Sequence, residues 1–325
     1  MNQKSELEKS LELLNSINKN NKIPVANLQN EISLNDYVTN IIKQNICSTI
    51  TIKYEFSTVS VIAVYPSNTK VLKFEGYTKE TYYEFCKEVL DIDKEEKYNC
   101  SRALNFDGVK TRVYSVQPPL SATPIITIST TKTPPSTLPK QTIPNEVWDE
   151  IVHSNFIICG ASGSGKTYLF NYLLSKFINK DEKIALIEEF GELIPPNDLA
   201  VTITTPPAKP GETSLLKFIT EQSNLMRLDA TYIGEIKGSE AWPFIINLAS
   251  GTRGGATVHG DTAASALNRL RSLCELSCSN SEAIDEFISK CIKYIIVMKD
   301  KNIEAIYKLT GVHNKNIFAM KEINS

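Results

Sequence analysis

Gly160-Ala161-Ser162-Gly163-Ser164-Gly165-Lys166-Thr167 is a complete G-x-x-x-x-G-K-[ST] run. Glycines in such a run let successive backbone N–H groups turn inward around phosphate oxygens. Lys166 is predicted to reach the β and γ phosphates of a nucleoside triphosphate, and the Thr167 hydroxyl to ligate Mg²⁺, with Tyr168 extending the binding run. The flanks suit this chemistry. Asn155-Phe156-Ile157-Ile158-Cys159 is an apolar run fit for a buried parallel strand. From Lys166 to Phe177, Leu169, Phe170, Leu173, Leu174 and Phe177 recur at helical spacing. Strand, glycine loop and helix together aim a helix N-terminus at an anion. The expected cofactors are ATP and Mg²⁺.

Two carboxylates and a histidine extend the constellation. Ile184 to Ile187 is apolar and ends in Glu188-Glu189; Ala230 to Gly234 ends in Glu235. An acid at the carboxyl end of a parallel strand faces the ligand crevice of its sheet. One acid should hold Mg²⁺ and the other orient the attacking water. Glu188 is assigned to the water and Glu235 to the metal side, the reverse remaining open. His259 closes the segment Gly251-Thr252-Arg253-Gly254-Gly255-Ala256-Thr257-Val258-His259. The glycines there are expected to need unusual backbone angles, and the short strand delivers an imidazole suited to sensing a γ-phosphate or a metal shell.

Around these residues the chain, 325 residues long, reads as two domains. Residues 1–130 form the first. Ser5 and Glu8 make a capping box ahead of Leu7, Leu11 and Leu14. A helix starting at Ser33 buries Leu34, Tyr37, Val38, Ile41 and Ile42. Strands are expected over 49–54, 59–65, 71–74, 111–116 and 125–129, with a Thr78-capped helix carrying Tyr82, Phe85, Cys86, Val89 and Leu90. This is an α+β domain. Residues 131–145, with Pro134, Pro135 and Pro139, read as a linker, because proline lacks the N–H a helix or central strand needs. Residues 146–325 alternate strands and helices, with strands at 156–159, 183–187, 201–205, 230–234 and 256–258. That is an α/β domain with a largely parallel sheet.

Net charge is −2, which argues against nucleic acid as the main partner. The N-terminus is polar, with no signal peptide visible. No apolar run approaches the roughly 18 residues that span a bilayer, so membrane attachment is expected to be peripheral, through protein. Seven cysteines contain no Cys-x-x-Cys pair and read as reduced, mostly core residues.

The phosphate loop, the acidic segment 187–193, the segment 225–241 and the histidine segment 250–260 together resemble the four boxes of the type II/type IV secretion ATPases, the traffic ATPases of conjugation machines, effector secretion systems and type IV pili. The resemblance is strong over 145–275. It implies a RecA-like P-loop ATPase domain, with a homohexameric ring binding ATP between N- and C-terminal domains. It further implies a cytoplasmic position at the inner membrane, with secretion-channel proteins and a coupling ATPase as partners. The missing four-cysteine zinc module favours the conjugative/type IV secretion branch. A pilus extension or retraction motor is the alternative within the class, and a nucleotide-gated scaffold with little turnover the alternative outside it. Asp107 to Val113 with Gln117-Pro118-Pro119 resembles the family's phosphate-facing strand pair, which makes Arg112 a further nucleotide contact. Three departures stand out: Glu188-Glu189 replaces Glu-Asp, Lys237 replaces the usual arginine, and the segment 125–130 lacks an arginine. A lysine cannot make arginine's bidentate fork.

Overall fold

The computed structural model describes residues 32–47, 49–65, 68–130, 143–205, 215–312 and 318–323. The expected helix around Leu7 to Leu14 lies outside them, as do linker residues 131–142. The chain divides into two units, Met1–Thr131 and Lys132–Ser325.

The first unit runs α1 (Leu34–Gln44), β1 (Thr49–Glu55), β2 (Thr58–Val64), β3 (Thr69–Glu75), α2 (Lys79–Leu90), β4 (Asn99–Phe106), β5 (Val109–Val116) and β6 (Ile125–Thr130). Its strands form one six-stranded sheet ordered β3-β2-β1-β6-β5-β4, antiparallel throughout. Ser33 caps α1 by accepting from the Asp36 amide at 3.1 Å, and Thr78 and Thr81 form a reciprocal capping box on α2. Because strand side chains alternate, Ile50 and Ile52 of β1 point into a core with Leu34, Ile41, Tyr82 and Phe85. β4 is not among the strands expected from sequence. It is an edge strand whose Asn-Cys-Ser-Arg-Ala-Leu-Asn-Phe composition buries only Cys100, so hydrophobic alternation does not mark it.

The second unit runs α3 (Asn145–Val152), β7 (Phe156–Gly160), α4 (Lys166–Phe177), β8 (Ile184–Glu188), β9 (Val201–Thr204), α5 (Leu215–Gln222) and β10 (Ala230–Ile236). It continues with α6 (Ala241–Ala249), β11 (Arg253–His259), α7 (Ala263–Cys274), α8 (Ser281–Cys291), β12 (Tyr294–Lys299), β13 (Asn302–Val312) and β14 (Phe318–Glu322). Its eight strands are ordered β14-β13-β12-β7-β11-β10-β8-β9. From β12 to β9 every pairing is parallel; β13 and β14 add antiparallel. β7 and β8 are buried along their whole length, as a parallel sheet covered on both faces requires. Along β7, Ile157 and Cys159 join one core with α6, α7 and α8. Phe156 and Ile158 join another with α3 and α4. In the second core Phe156, Phe170 and Tyr232 meet with ring centroids 5.7 to 6.2 Å apart. Burying each ring contributes about 1.5–3 kcal/mol.

The interior strands run in the order β7-β11-β10-β8, and their carboxyl ends carry the phosphate loop, His259, Glu235 and Glu188 side by side. That is the crevice where a doubly wound sheet takes a ligand.

Candidate active site

The phosphate loop leaves β7 at Gly160 and enters α4 at Lys166. Gly165, which caps the helix, has φ 96°, a left-handed angle that an L side chain resists. The first amides of α4 have no helical partner and are free to face an anion. Lys166 is buried. Its Nζ donates to the carbonyls of Gly160 and Ala161, each at 2.9 Å, and stands 3.4 Å from His259 Nδ1. Burial pulls the Lys166 ammonium below the usual lysine range, partly offset by the negative charge of Glu235.

His259 links two parts of the site. Its Nε2 lies 2.7 Å from Glu235 Oε1. An ammonium has only protons to give, so Nδ1 accepts from Lys166 and Nε2 carries the hydrogen donated to Glu235. Glu235, His259 and Lys166 therefore form one connected polar chain across β10, β11 and the loop. Both the imidazole and the glutamate are part-exposed, at 49% and 28%, so the chain opens to a ligand.

Glu188 is placed differently. It is buried, and its Oε2 and Oε1 accept from the backbone amides of Glu192 and Leu193 at 2.7 and 2.9 Å. Both oxygens are engaged in holding the segment that follows β8. The next residue, Glu189, is ion-paired with Lys237, whose ammonium also lies 4.8 Å from the centre of the Phe190 ring. Lys237 thus ties the end of β10 to the end of β8 with a single charged contact where a guanidinium would fork. Arg112 lies in β5 of the first unit, opposite Ala103 and Ser129.

The glycines before His259 serve space more than angle. Gly254 and Gly255 lie within β11 at ordinary strand angles, and of the lead-in only Gly251 has positive φ. A Cβ on Gly255 would stand 2.5 Å from Phe156 Cζ, so the bare backbone is what lets the aromatic core pack under the strand.

Sequence patterns missed Glu240. It is buried, and its Oε1 accepts from the amides of Lys237 and Gly238 at 2.7 and 2.8 Å, fixing the turn just after Glu235. A lone acid at the start of a helix carries no signal that its side chain folds back, so only the structure reveals it.

These residues fit a magnesium nucleotide. The loop offers main-chain donors and a buried cation, the Ser164 hydroxyl is buried without a hydrogen-bond partner, and Thr167 and Glu235 would supply oxygen donors of the kind Mg²⁺ prefers. Among the described residues no cluster of three or more His, Cys, Asp or Glu could hold a metal by itself.

Fold and site define a P-loop nucleotide-binding protein of the α/β class. The chain carries the domain of the type II/IV secretion system protein family, whose model matches residues 145–305. The type IV secretion system protein VirB11 of Bartonella henselae is 32% identical over 173 residues, covering 50% of this chain and 48% of that protein. The conjugal transfer protein TrbB of Rhizobium radiobacter is 24% identical over 169 residues, 50% of each. The chain thus spans about half the length of the curated relatives it matches. Among solved structures, the Yersinia pseudotuberculosis ATPase DotB aligns with a TM-score of 0.57 at 14% identity, over 93% of this chain and 81% of that one. At that identity the likeness establishes the fold.

Proposed function

We propose that this chain is the ATP-hydrolysing subunit of a type IV secretion or conjugation machine. The observation that carries the reading is the connected chain from Lys166 through His259 to Glu235, set at adjacent strand ends beside a complete phosphate loop. The names of the relatives, a type IV secretion protein and a conjugal transfer protein, support the setting. Bound ATP with Mg²⁺ would supply the phosphoanhydride bond and a divalent charge to offset that of the phosphates.

The chain's own residues do the rest. The loop amides and Lys166 hold the phosphates and stabilise the charge that develops on them. Thr167 and Glu235 hold the metal side. Glu235 is also the carboxylate we assign to orienting the attacking water, because it is part-exposed beside the loop, whereas Glu188 is buried and tied to two main-chain amides. The N–H of His259 keeps the Glu235 carboxylate in place and gives it a path to Lys166, so the histidine registers what the lysine binds.

Each subunit works within a homohexameric ring at the cytoplasmic face of the inner membrane, recruited by channel proteins. No described helix is long and apolar enough to cross a membrane. Steady-state ATP turnover of the wild type against Glu235→Gln tests the chemistry. Turnover lost in the variant with nucleotide still bound is the expected result. Nucleotide binding with no turnover in the wild type would point instead to a nucleotide-gated scaffold. Analytical ultracentrifugation with an ATP analogue and Mg²⁺ tests the ring, which a persistent monomer at micromolar concentration contradicts.

A further inference from the structure

The turn joining β12 to β13 is seated against the phosphate loop. β12 runs beside β7 with Met298 opposite Gly160, so the chain leaves β12 at the end of the sheet where the loop begins. Lys299 pairs with Asn302 across a two-residue turn in which Asp300 and Lys301 have φ 48° and 65°. This is the primed hairpin geometry, whose second position ordinarily takes glycine. The Lys301 backbone N–H donates to the Ser164 carbonyl at 3.1 Å. Gly165 faces the same turn: a Cβ built on it would meet Met298 Cε at 3.4 Å and Lys301 Cα at 3.5 Å. Met298 and Ser164 are both buried, while Lys301 itself lies at the exposed tip of the turn.

We propose that Lys301 is a positioning residue for the nucleotide, acting through its main-chain amide. A peptide unit turns as one rigid plane. The Ser164 carbonyl and the Gly165 N–H belong to the same plane and point to opposite sides of it. Holding the carbonyl toward the hairpin therefore aims the Gly165 N–H away from the hairpin, into the hollow of the loop where phosphate oxygens sit. Without the Lys301 donor that peptide is free to flip, and the loop loses a donor at the entrance to α4. The inference rests on the reading of this loop as a nucleotide site.

The test is binding of a fluorescent ATP analogue with Mg²⁺ to the full chain. Lys301→Pro removes the amide donor and cannot adopt positive φ; its Kd and KM are expected to rise about tenfold or more, with a smaller change in kcat. Lys301→Gly keeps the amide and suits the turn, so its Kd is expected to stay within about twofold of wild type. Wild-type affinity in Lys301→Pro overturns the proposal. So does a loss in Lys301→Gly as large as that in Lys301→Pro, since the ammonium would then be the contact. If the proline variant does not fold, amide hydrogen exchange on the wild type decides. Exchange over residues 300–302 is expected to slow when the analogue and Mg²⁺ are added, and unchanged exchange overturns the proposal. A wild type that binds no analogue overturns the nucleotide reading itself, and this inference with it, a result distinct from any of the variant outcomes.

Discussion

His259 and Glu235 end neighbouring parallel strands and meet at 2.7 Å, imidazole N–H to carboxylate. The imidazole's other nitrogen faces Lys166, so replacing it cuts the path between the carboxylate and the phosphate-binding cation. His259→Ala is expected to lower kcat roughly a hundredfold while nucleotide affinity changes little. A variant with full turnover in a steady-state assay would remove His259 from the reaction.

The two strand-end acids should separate cleanly. Glu235→Gln is expected to lower kcat by roughly 10²–10³ and leave thermal stability near that of wild type. Glu188→Gln should do the opposite in kind. An amide offers one acceptor and a donor where two backbone N–H groups need acceptors, at a cost of about 1–3 kcal/mol in stability. Thermal unfolding alongside turnover distinguishes them, and a stable, inactive Glu188→Gln would return Glu188 to the water.

Lys166 is the site's pH-sensitive cation. Burial sets its folded pKa below the unfolded value, so between the two the unfolded chain holds more protons. In that alkaline window, folding stability without nucleotide rises with pH. Nucleotide affinity runs the other way, because phosphate needs the charged form. ATP-analogue affinity is expected to fall at a pH beneath the ordinary lysine value of about 10.5, and stability to lose its rise there in Lys166→Met. An affinity flat through that window would show the ammonium does not govern binding. At neutral pH Lys166→Ala is expected to abolish hydrolysis, since no other side chain takes its place between loop and histidine.

The thiols offer a probe of packing. Burial pushes the Cys159 and Cys274 thiols up to about 12, while Cys278 is the part-exposed cysteine of the seven. A thiolate, not a thiol, attacks maleimide, so brief labelling of the native protein is expected to modify Cys278 first. Early modification of Cys159, mapped by mass spectrometry, would mean that β7 is open to solvent rather than buried.

The phosphate loop and the strands leading to Glu188, Glu235 and His259 were legible because each is a short apolar run ending in a residue with a distinctive job. The helix after Ser33 was legible from its apolar spacing and the one after Thr78 from its cap. What the reading lacked has physical causes. β4 is a polar edge strand, and β12 to β14 were not expected although Tyr294 to Met298 is an apolar run. Glu240 lies in the segment 225–241, but its carboxylate turns back onto main-chain amides, which no spacing shows, and Lys301 lies outside every motif. Glu188 is held by two amides of the following loop, whose direction no spacing encodes. Glycines at 254 and 255 were noticed for the wrong reason, because sequence cannot tell a need for positive φ from a need for room beneath Phe156.

The order β7-β11-β10-β8 also acts as a ruler. Neighbouring strands lie about 4.8 Å apart, so His259 stands one step from the loop strand, Glu235 two, and Glu188 three, or about 14 Å to the side. A single phosphate chain anchored on the loop cannot be shared evenly among them. Strand by strand, the backbone anchors of the three residues therefore stand progressively farther from the loop strand. Any relative that moved its working acid one strand over would need a different reach to meet the same phosphate.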